Sequence, residues 1–317
     1  MPELPEVETV RRGLANLIVG RMVRSAFAID SPKSFPNAPS DVQSFLVGAE
    51  ITDIRRRAKV LLIDLSSGYT LVVHLKMTGQ LVFVGKNVED RKWKIANGNL
   101  PNSKSQSLRA KDEVRFGAGH PNDSLIGELP DRSTRVVIEF TDATNLYFND
   151  QRKFGWMKLY PTIEVPEIDF MKRVGPEPLT DEFTSDILYQ RLQRRKGTTI
   201  KAALLDQSVL AGIGNIYADE ALWGARIHPA TRVRDLPPTI YQLLTTEIKY
   251  VLELAIEKGG STDKNYVNAE GKRGSYIDFA RVFRREGLAC PRHPDVIIQK
   301  IRVAGRGTHI CGVCQVQ

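Results

Sequence analysis

From Val7 of the opening MPELPEVETV onward, apolar residues Val7, Val10, Leu14, Leu17 and Ile18 recur at steps of three and four, which predicts an amphipathic helix. Pro and Glu suit its first turn, where a missing N–H costs nothing and the helix dipole favours negative charge. The pattern then changes to that of strands. VLLIDL (60–65) and YTLVVHLKM (69–77) are short β-rich runs parted by the turn signal SSG, and TRVVIEF and TNLYFND follow. Residues 1–160 therefore read as one helix plus a mostly antiparallel β sandwich. Within them, 85–131 is rich in Asn, Ser, Lys and Gly with little periodicity, and reads as a surface insertion. Residues 161–180 hold four prolines and read as a linker. Helical spacing takes over in 181–287, at Ile187, Leu188 and Leu192, at Leu204 and Leu205, at Ala218, Ala221 and Leu222, and from Ile240 to Ile256. One helix is expected to end near Leu210 and another to start at Asn215. Residues 288–317 form a third, small module. The fold class is α+β and multidomain, without an internal repeat.

The chain has 317 residues, enough for two or three cored domains, and its 42% hydrophobic and 26% charged residues are those of a globular protein. No apolar run reaches the length of a membrane span, and the start lacks the basic-then-apolar order of a signal peptide, so a cytoplasmic protein is expected. A net charge of +8 and a pI near 9.3 suit a polyanionic partner, although proteins without one also carry such an excess. The three cysteines, Cys290, Cys311 and Cys314, all lie near the end, which favours metal over disulfides.

Cys290-x-x-His293 and Cys311-x-x-Cys314 stand 17 residues apart, the spacing of a four-ligand zinc ribbon. The alternative is a surface histidine beside three idle cysteines; His309 is a competing ligand that suits the spacing less well. Between the pairs, VIIQKIRVAGRGTHI reads as a hairpin displaying Arg306 between two glycines. Such a module cannot build its own core, so metal would supply its folding energy. In LDQSVLAGIGNIYADEAL (205–222), Gly212 and Gly214 permit a tight turn before a helix start, a natural phosphate cradle. The same residues serve equally as a helix–helix turn with Asn215 as a cap. The basic RLQRRKG upstream tilts the balance toward phosphate.

PELPEVET, GIGNIYADEAL, QRKFG and AGRGTH, in this order across nearly the whole chain, together resemble the bacterial formamidopyrimidine-DNA glycosylases, which excise oxidised purines such as 8-oxoguanine from duplex DNA and cleave the resulting abasic site. The resemblance implies that Met1 is removed and that the Pro2 amine attacks C1′ of the damaged nucleotide. An α-amino group titrates near 7.7–8.0, against about 10.4 for lysine, so more of it is free to attack at neutral pH. The secondary amine yields an iminium, and β- then δ-elimination removes both flanking phosphates. Glu3 would handle protons at the sugar, and Glu6, one turn on, would orient the site. Lys59 would contact the phosphate beside the lesion, His74 the phosphates with less definition, and Asn215 and Arg306 the damaged strand. Met77, Arg152 and Phe154 would fill the gap left by the flipped nucleotide. On their own, Lys59 reads as a strand-edge charge and Met77 and Phe154 as core.

The resemblance further implies a helix-two-turn-helix DNA-binding domain over 181–287, one structural Zn²⁺, a monomer without membrane contact, and a place at the bacterial nucleoid. Two features depart from the family: His293 replaces a cysteine, and the loop between the knuckles is one residue longer. The 85–131 insertion has no counterpart in the pattern. Lesion choice would lie in NYVNAEGKRGSYI (265–277). Three rivals remain. An endonuclease VIII-like enzyme for oxidised pyrimidines typically opens Pro-Glu-Gly-Pro-Glu, so Leu4 favours purines. A non-catalytic DNA-binding relative would not need Pro2, Glu3 and Lys59. A tautomerase-like enzyme with an N-terminal proline base would leave the basic helices and ribbon without purpose.

Overall fold

The computed structural model describes residues 2–86, 113–118, 123–261 and 276–316. Helix α1 (Leu4–Ile18) carries Pro5 in its first turn and buries Val7, Val10, Leu14, Leu17 and Ile18, the stripe that the spacing predicts. It lies against two antiparallel sheets built from β1 (Val23–Ala28), β2 (Ile51–Arg57), β3 (Val60–Leu65), β4 (Tyr69–His74), β5 (Gly79–Lys86), β6 (Glu113–Ala118), β7 (Thr134–Phe140), β8 (Asn145–Asp150) and β9 (Trp156–Pro161). One sheet has the order β1-β7-β8-β5-β6 and the other β2-β3-β4-β9, and α2 (Pro39–Phe45) and α3 (Asp123–Ile126) lie between strands in the chain. Leu61, Ile63, Leu71 and Val73 from one sheet meet Leu81, Phe83, Ile138 and Phe148 from the other in a core shared with α1.

β3 opens with a continuous apolar run, 60–63, because both faces are covered there. Its outer residues Val60 and Leu62, with Val72, pack on Val165 and Met171. These belong to the proline-rich connecting segment, which folds into a 3₁₀ turn over Thr162–Glu167 and helix α4 (Asp169–Arg173).

Two expectations need correction here. Residues 113–118, inside the stretch read as a surface insertion, form edge strand β6, and Phe116 is buried against α1. Gly13 makes this approach possible, since a Cβ there would sit 1.9 Å from the Phe116 ring. Elsewhere in that stretch, 85–86 end β5 and 123–126 form α3, while 87–112 and 119–122 lie outside the described residues.

The second correction concerns the helical part, where α5 (Ser185–Gln193), α6 (Ile200–Leu205), α7 (Asn215–Gly224) and α8 (Ile240–Glu257) enclose a core including Leu188, Leu204, Leu222 and Ile248. Helix α6 ends at Leu205, not near Leu210, because Asp206 turns the chain: its Oδ1 accepts the Ser208 amide at 2.9 Å, an Asx turn that competes with helix continuation. Helix α9 (Tyr276–Phe279) then leads to the hairpin of β10 (Gln299–Val303) and β11 (Arg306–Ile310). Ala304 and Gly305 join its strands with φ of +50° and +73°, the left-handed pair that a two-residue hairpin turn requires.

Candidate active site and nucleic-acid interface

The start of α1 is docked against the 212–216 turn. The Leu4 amide donates to the Gly212 carbonyl at 2.9 Å, and Gly212 has a φ of +80°. A Cβ on Gly214 would lie 2.2 Å from the Glu3 carboxyl carbon. Both glycines are therefore dictated by close approach to the amino terminus, not by the turn alone. Glu3 Oε1 accepts the Ile216 amide at 3.2 Å, at the start of α7, whereas its buried Oε2 has no hydrogen-bond partner. Pro2, buried and bonded to Glu3, shares this place.

Burial pushes the Glu3 carboxyl up to about 7, with the Lys59 ammonium pulling it down and Glu6 adding to the rise. Lys59 is itself buried and donates from Nζ to the Ile213 carbonyl at 2.8 Å. Desolvation lowers its pKa, opposed by Glu3 and Glu6 and assisted by Arg306. Glu6 gathers four donors: the Glu3 amide at 2.8 Å, the Tyr217 hydroxyl at 2.6 Å, and the Ser261 amide and hydroxyl at 2.8 and 3.0 Å. This carboxylate thus ties α1 to α7 and to Ser261, four residues beyond the end of α8.

The hairpin reaches the same turn from the other side. Asn215 donates to the Gly307 carbonyl at 3.1 Å, while its Oδ1 is buried without a partner. Below it, fully buried Lys201 and Asp219 pair at 2.5 Å; Lys201 also donates to Thr308 Oγ1 at 2.7 Å, and Asp219 accepts the His309 amide at 3.0 Å. This buried pair sets the register of the hairpin on α7 and leaves Arg306 exposed at the turn.

Met77, Arg152 and Phe154 lie on two turns joined by Asp150. The buried Asp150 carboxylate accepts from the Thr78 hydroxyl, from the Arg152 amide at 3.1 Å and from the Gly155 amide at 2.6 Å. Met77 is 40% exposed and Phe154 55% exposed, so neither is core, and the Arg152 guanidinium lies 4.9 Å from the Phe154 ring centre. His74 Nδ1 accepts the Lys76 amide at 3.0 Å, which leaves the ring proton on Nε2. Burial, with Lys76 and Lys59 nearby, drives the His74 pKa down to about 3.

Cys290, His293, Cys311 and Cys314 place their ligand atoms within 4.8 Å of one another. Three thiol sulfurs and one imidazole Nδ1 make the donor set of a closed tetrahedral site. His309 takes no part: it is buried beside Asp219, with Nδ1 at 3.4 Å from the carboxylate. The cluster packs with Trp223, Val282 and Ile298, at the opposite end of the hairpin from Arg306.

Residues 1–119 match the formamidopyrimidine-DNA glycosylase N-terminal domain, and 174–266 the formamidopyrimidine-DNA glycosylase H2TH domain. The formamidopyrimidine-DNA glycosylase of Pediococcus pentosaceus is 39% identical over 316 residues, covering 100% of this chain and 99% of the relative. The chain belongs to the formamidopyrimidine-DNA glycosylase family. The Herpetosiphon aurantiacus glycosylase is 40% identical over 316 residues, covering 99% of this chain and 100% of the relative. Among solved structures, a Lactococcus lactis Fpg complex with Fapy-dG-containing DNA has a TM-score of 0.79 at 31% identity over 100% of both chains. A second Lactococcus lactis complex, with abasic-site DNA, also gives 0.79 at 31%, over 99% of this chain and 100% of that one.

Within this member of the family, several supporting residues carry no sequence signal of their own. Tyr217 reads as one more apolar position of α7, yet its hydroxyl holds Glu6, and burial with the two glutamates raises its pKa far above the ordinary phenol value. Asp150 reads as the end of a strand. Gln207 reads as a loop residue, although it donates to the Ile213 carbonyl at 2.9 Å and accepts the Gly212 amide at 2.9 Å. The 265–277 segment expected to choose the lesion lies outside the described residues except for Tyr276 and Ile277. Tyr276 stacks edge-on against Tyr217, with ring centres 5.2 Å apart.

Proposed function

We propose that this chain is a DNA glycosylase and abasic-site lyase that excises oxidised purines from duplex DNA in base excision repair. The observation that carries the reading is the buried carboxyl of Glu3, bonded to the Ile216 amide and fixed next to Pro2 at the 212–216 turn, with the desolvated Lys59 beside it. The names of the relatives, and the lesion-bearing DNA in the related structures, support the substrate class.

With Met1 removed, the Pro2 nitrogen forms a bond to C1′ while the bond from C1′ to the base breaks, and the base leaves with a proton. The C1′–O4′ bond then breaks as O4′ takes up a proton, and the nitrogen lone pair makes the second C1′–N bond of an iminium. Loss of a C2′ proton expels the 3′ phosphate, and a second elimination expels the 5′ phosphate. A carboxyl that titrates near 7 can both give and take protons at neutrality, so Glu3 serves these transfers. Lys59, Asn215 and Arg306 hold phosphates of the damaged strand. His74, neutral and with its proton on Nε2, donates to a phosphate oxygen without adding charge. Met77 and Phe154 wedge into the vacated stack, and Arg152 hydrogen-bonds the widowed base.

Zinc at Cys290, His293, Cys311 and Cys314 supplies folding energy to the ribbon and no step of the reaction. The domain roles follow: residues 1–160 catalyse, 161–180 connect, 181–287 bind DNA, and 288–317 present Arg306. The chain acts as a monomer at the nucleoid in the cytoplasm, and no helix among the described residues is long and apolar enough to cross a membrane. The test is lesion choice. Duplexes with 8-oxoguanine opposite cytosine should be cut faster than duplexes with 5-hydroxyuracil, and the reverse order would assign the chain to oxidised pyrimidines instead.

A further inference from the structure

A basic concavity of about 360 Å³ opens where α4, the end of α5 and the 206–214 turn meet, lined by Lys172, Arg173, Arg191, Arg194, Arg195 and Ser208. Two of its five cations are compensated, Lys172 by Glu167 and Arg195 by Asp206, each at 2.7 Å. Arg173 donates from Nε to the Asp169 carbonyl at 3.0 Å, and among the described residues none of the Arg173, Arg191 and Arg194 guanidiniums has a carboxylate partner. The negative ends of α4 and α5 make cations tolerable here. That does not account for three uncompensated guanidiniums around one hollow, which repel one another until an anion enters.

The hollow is tied to the active site through a single turn. The Gly175 amide donates to the Gln207 carbonyl at 2.8 Å, and a Cβ at Gly175 would meet Ser208 and Val209 backbone at 2.8 Å, so the walls are locked together. The Gln207 side chain then reaches the Ile213 carbonyl, which also accepts from Lys59. Ser208 and Ile213 are five residues apart, at most about 18 Å of chain. At 3.4 Å of axial rise per nucleotide, that is a reach of about five nucleotides, on one side of the lesion only.

We propose that this hollow is a second DNA-backbone site, which grips phosphodiesters of the flank several nucleotides to one side of the damaged one. This rests on the reading of the chain as a DNA glycosylase. Guanidinium forks suit phosphate oxygens, and the link through Gln207 to the lysine beside the attacked sugar favours the same nucleic acid over an acidic protein segment.

The test is the double variant Arg191→Gln/Arg194→Gln, which keeps most of each side-chain stem. Affinity is measured against salt on duplexes of about 24 base pairs carrying an abasic-site analogue at the centre, or about three base pairs from either end. The variant should lower the salt slope by about two on the central duplex and on one end-placed duplex, and leave the slope unchanged on the other, where the flank no longer reaches. Equal loss on all three, loss matched by the surface control Arg24→Gln/Lys33→Gln, or no loss at all would each overturn the proposal. Borohydride trapping of the wild-type chain on the central oxidised duplex tests the glycosylase reading separately, so the two failures are distinguishable.

Discussion

Glu3 sits where a carboxylate anion is poorly solvated, and that cost is measurable. Its pKa rises from an ordinary 4.5 to about 7, chiefly through burial. Between those values the folded chain keeps a proton that the unfolded chain has released, so stability falls as pH rises through this window. The loss levels off above about 7, at on the order of 3 kcal/mol. Glu3→Gln removes the penalty. Urea titrations should find the variant no more stable than wild type near pH 4.5 and more stable by about 2–3 kcal/mol near pH 8, with turnover lower by at least about 100-fold. A stability difference that stays constant with pH would contradict the assignment of the proton to Glu3.

At the scale of elements, the ribbon is held by two devices. One is the metal cluster; the other is the buried Lys201–Asp219 pair with its bonds to Thr308 and His309. Since the pair lies in the helical core, removing metal should loosen the knuckles without unfolding α5 to α8. Chelation is expected to weaken DNA binding by roughly 10-fold or more while far-ultraviolet ellipticity changes little, with recovery on adding Zn²⁺. Unchanged affinity after complete metal removal would show that Arg306 does not depend on the ribbon. The sequence made the Cys and His pairs legible because metal chemistry fixes both residue type and spacing. It does not reveal Asp219, whose partners are a lysine 18 positions earlier and the His309 amide 90 positions later. The end of α6 is hidden for a related reason: Leu210 continues an apolar pattern, but Asp206 turns the backbone first.

Across the whole molecule, the order of elements is readable wherever a segment is buried on one face, as in α1 and α8, or on both, as in β3 and β4. Strand β6 is illegible because Val114 and Phe116 alternate over too short a run inside a polar stretch, and the room for the buried ring comes from Gly13, about a hundred residues earlier. The site was legible in its extreme members, Pro2, Glu3, Gly212 and Gly214, whose residue types are hard to replace. Its connecting members, Tyr217, Gln207 and Ser261, become meaningful only once α1 is docked on α7. That docking is what brings the chain's first residues to a turn more than two hundred positions away.

Covalent attack by the Pro2 nitrogen is the claim on which the whole account turns. Borohydride reduction during turnover on an 8-oxoguanine duplex, followed by digestion and mass spectrometry, should find the sugar remnant on Pro2 of a chain that has lost Met1. A remnant on Lys59 or another lysine, or full activity from a chain that still carries Met1, would contradict it.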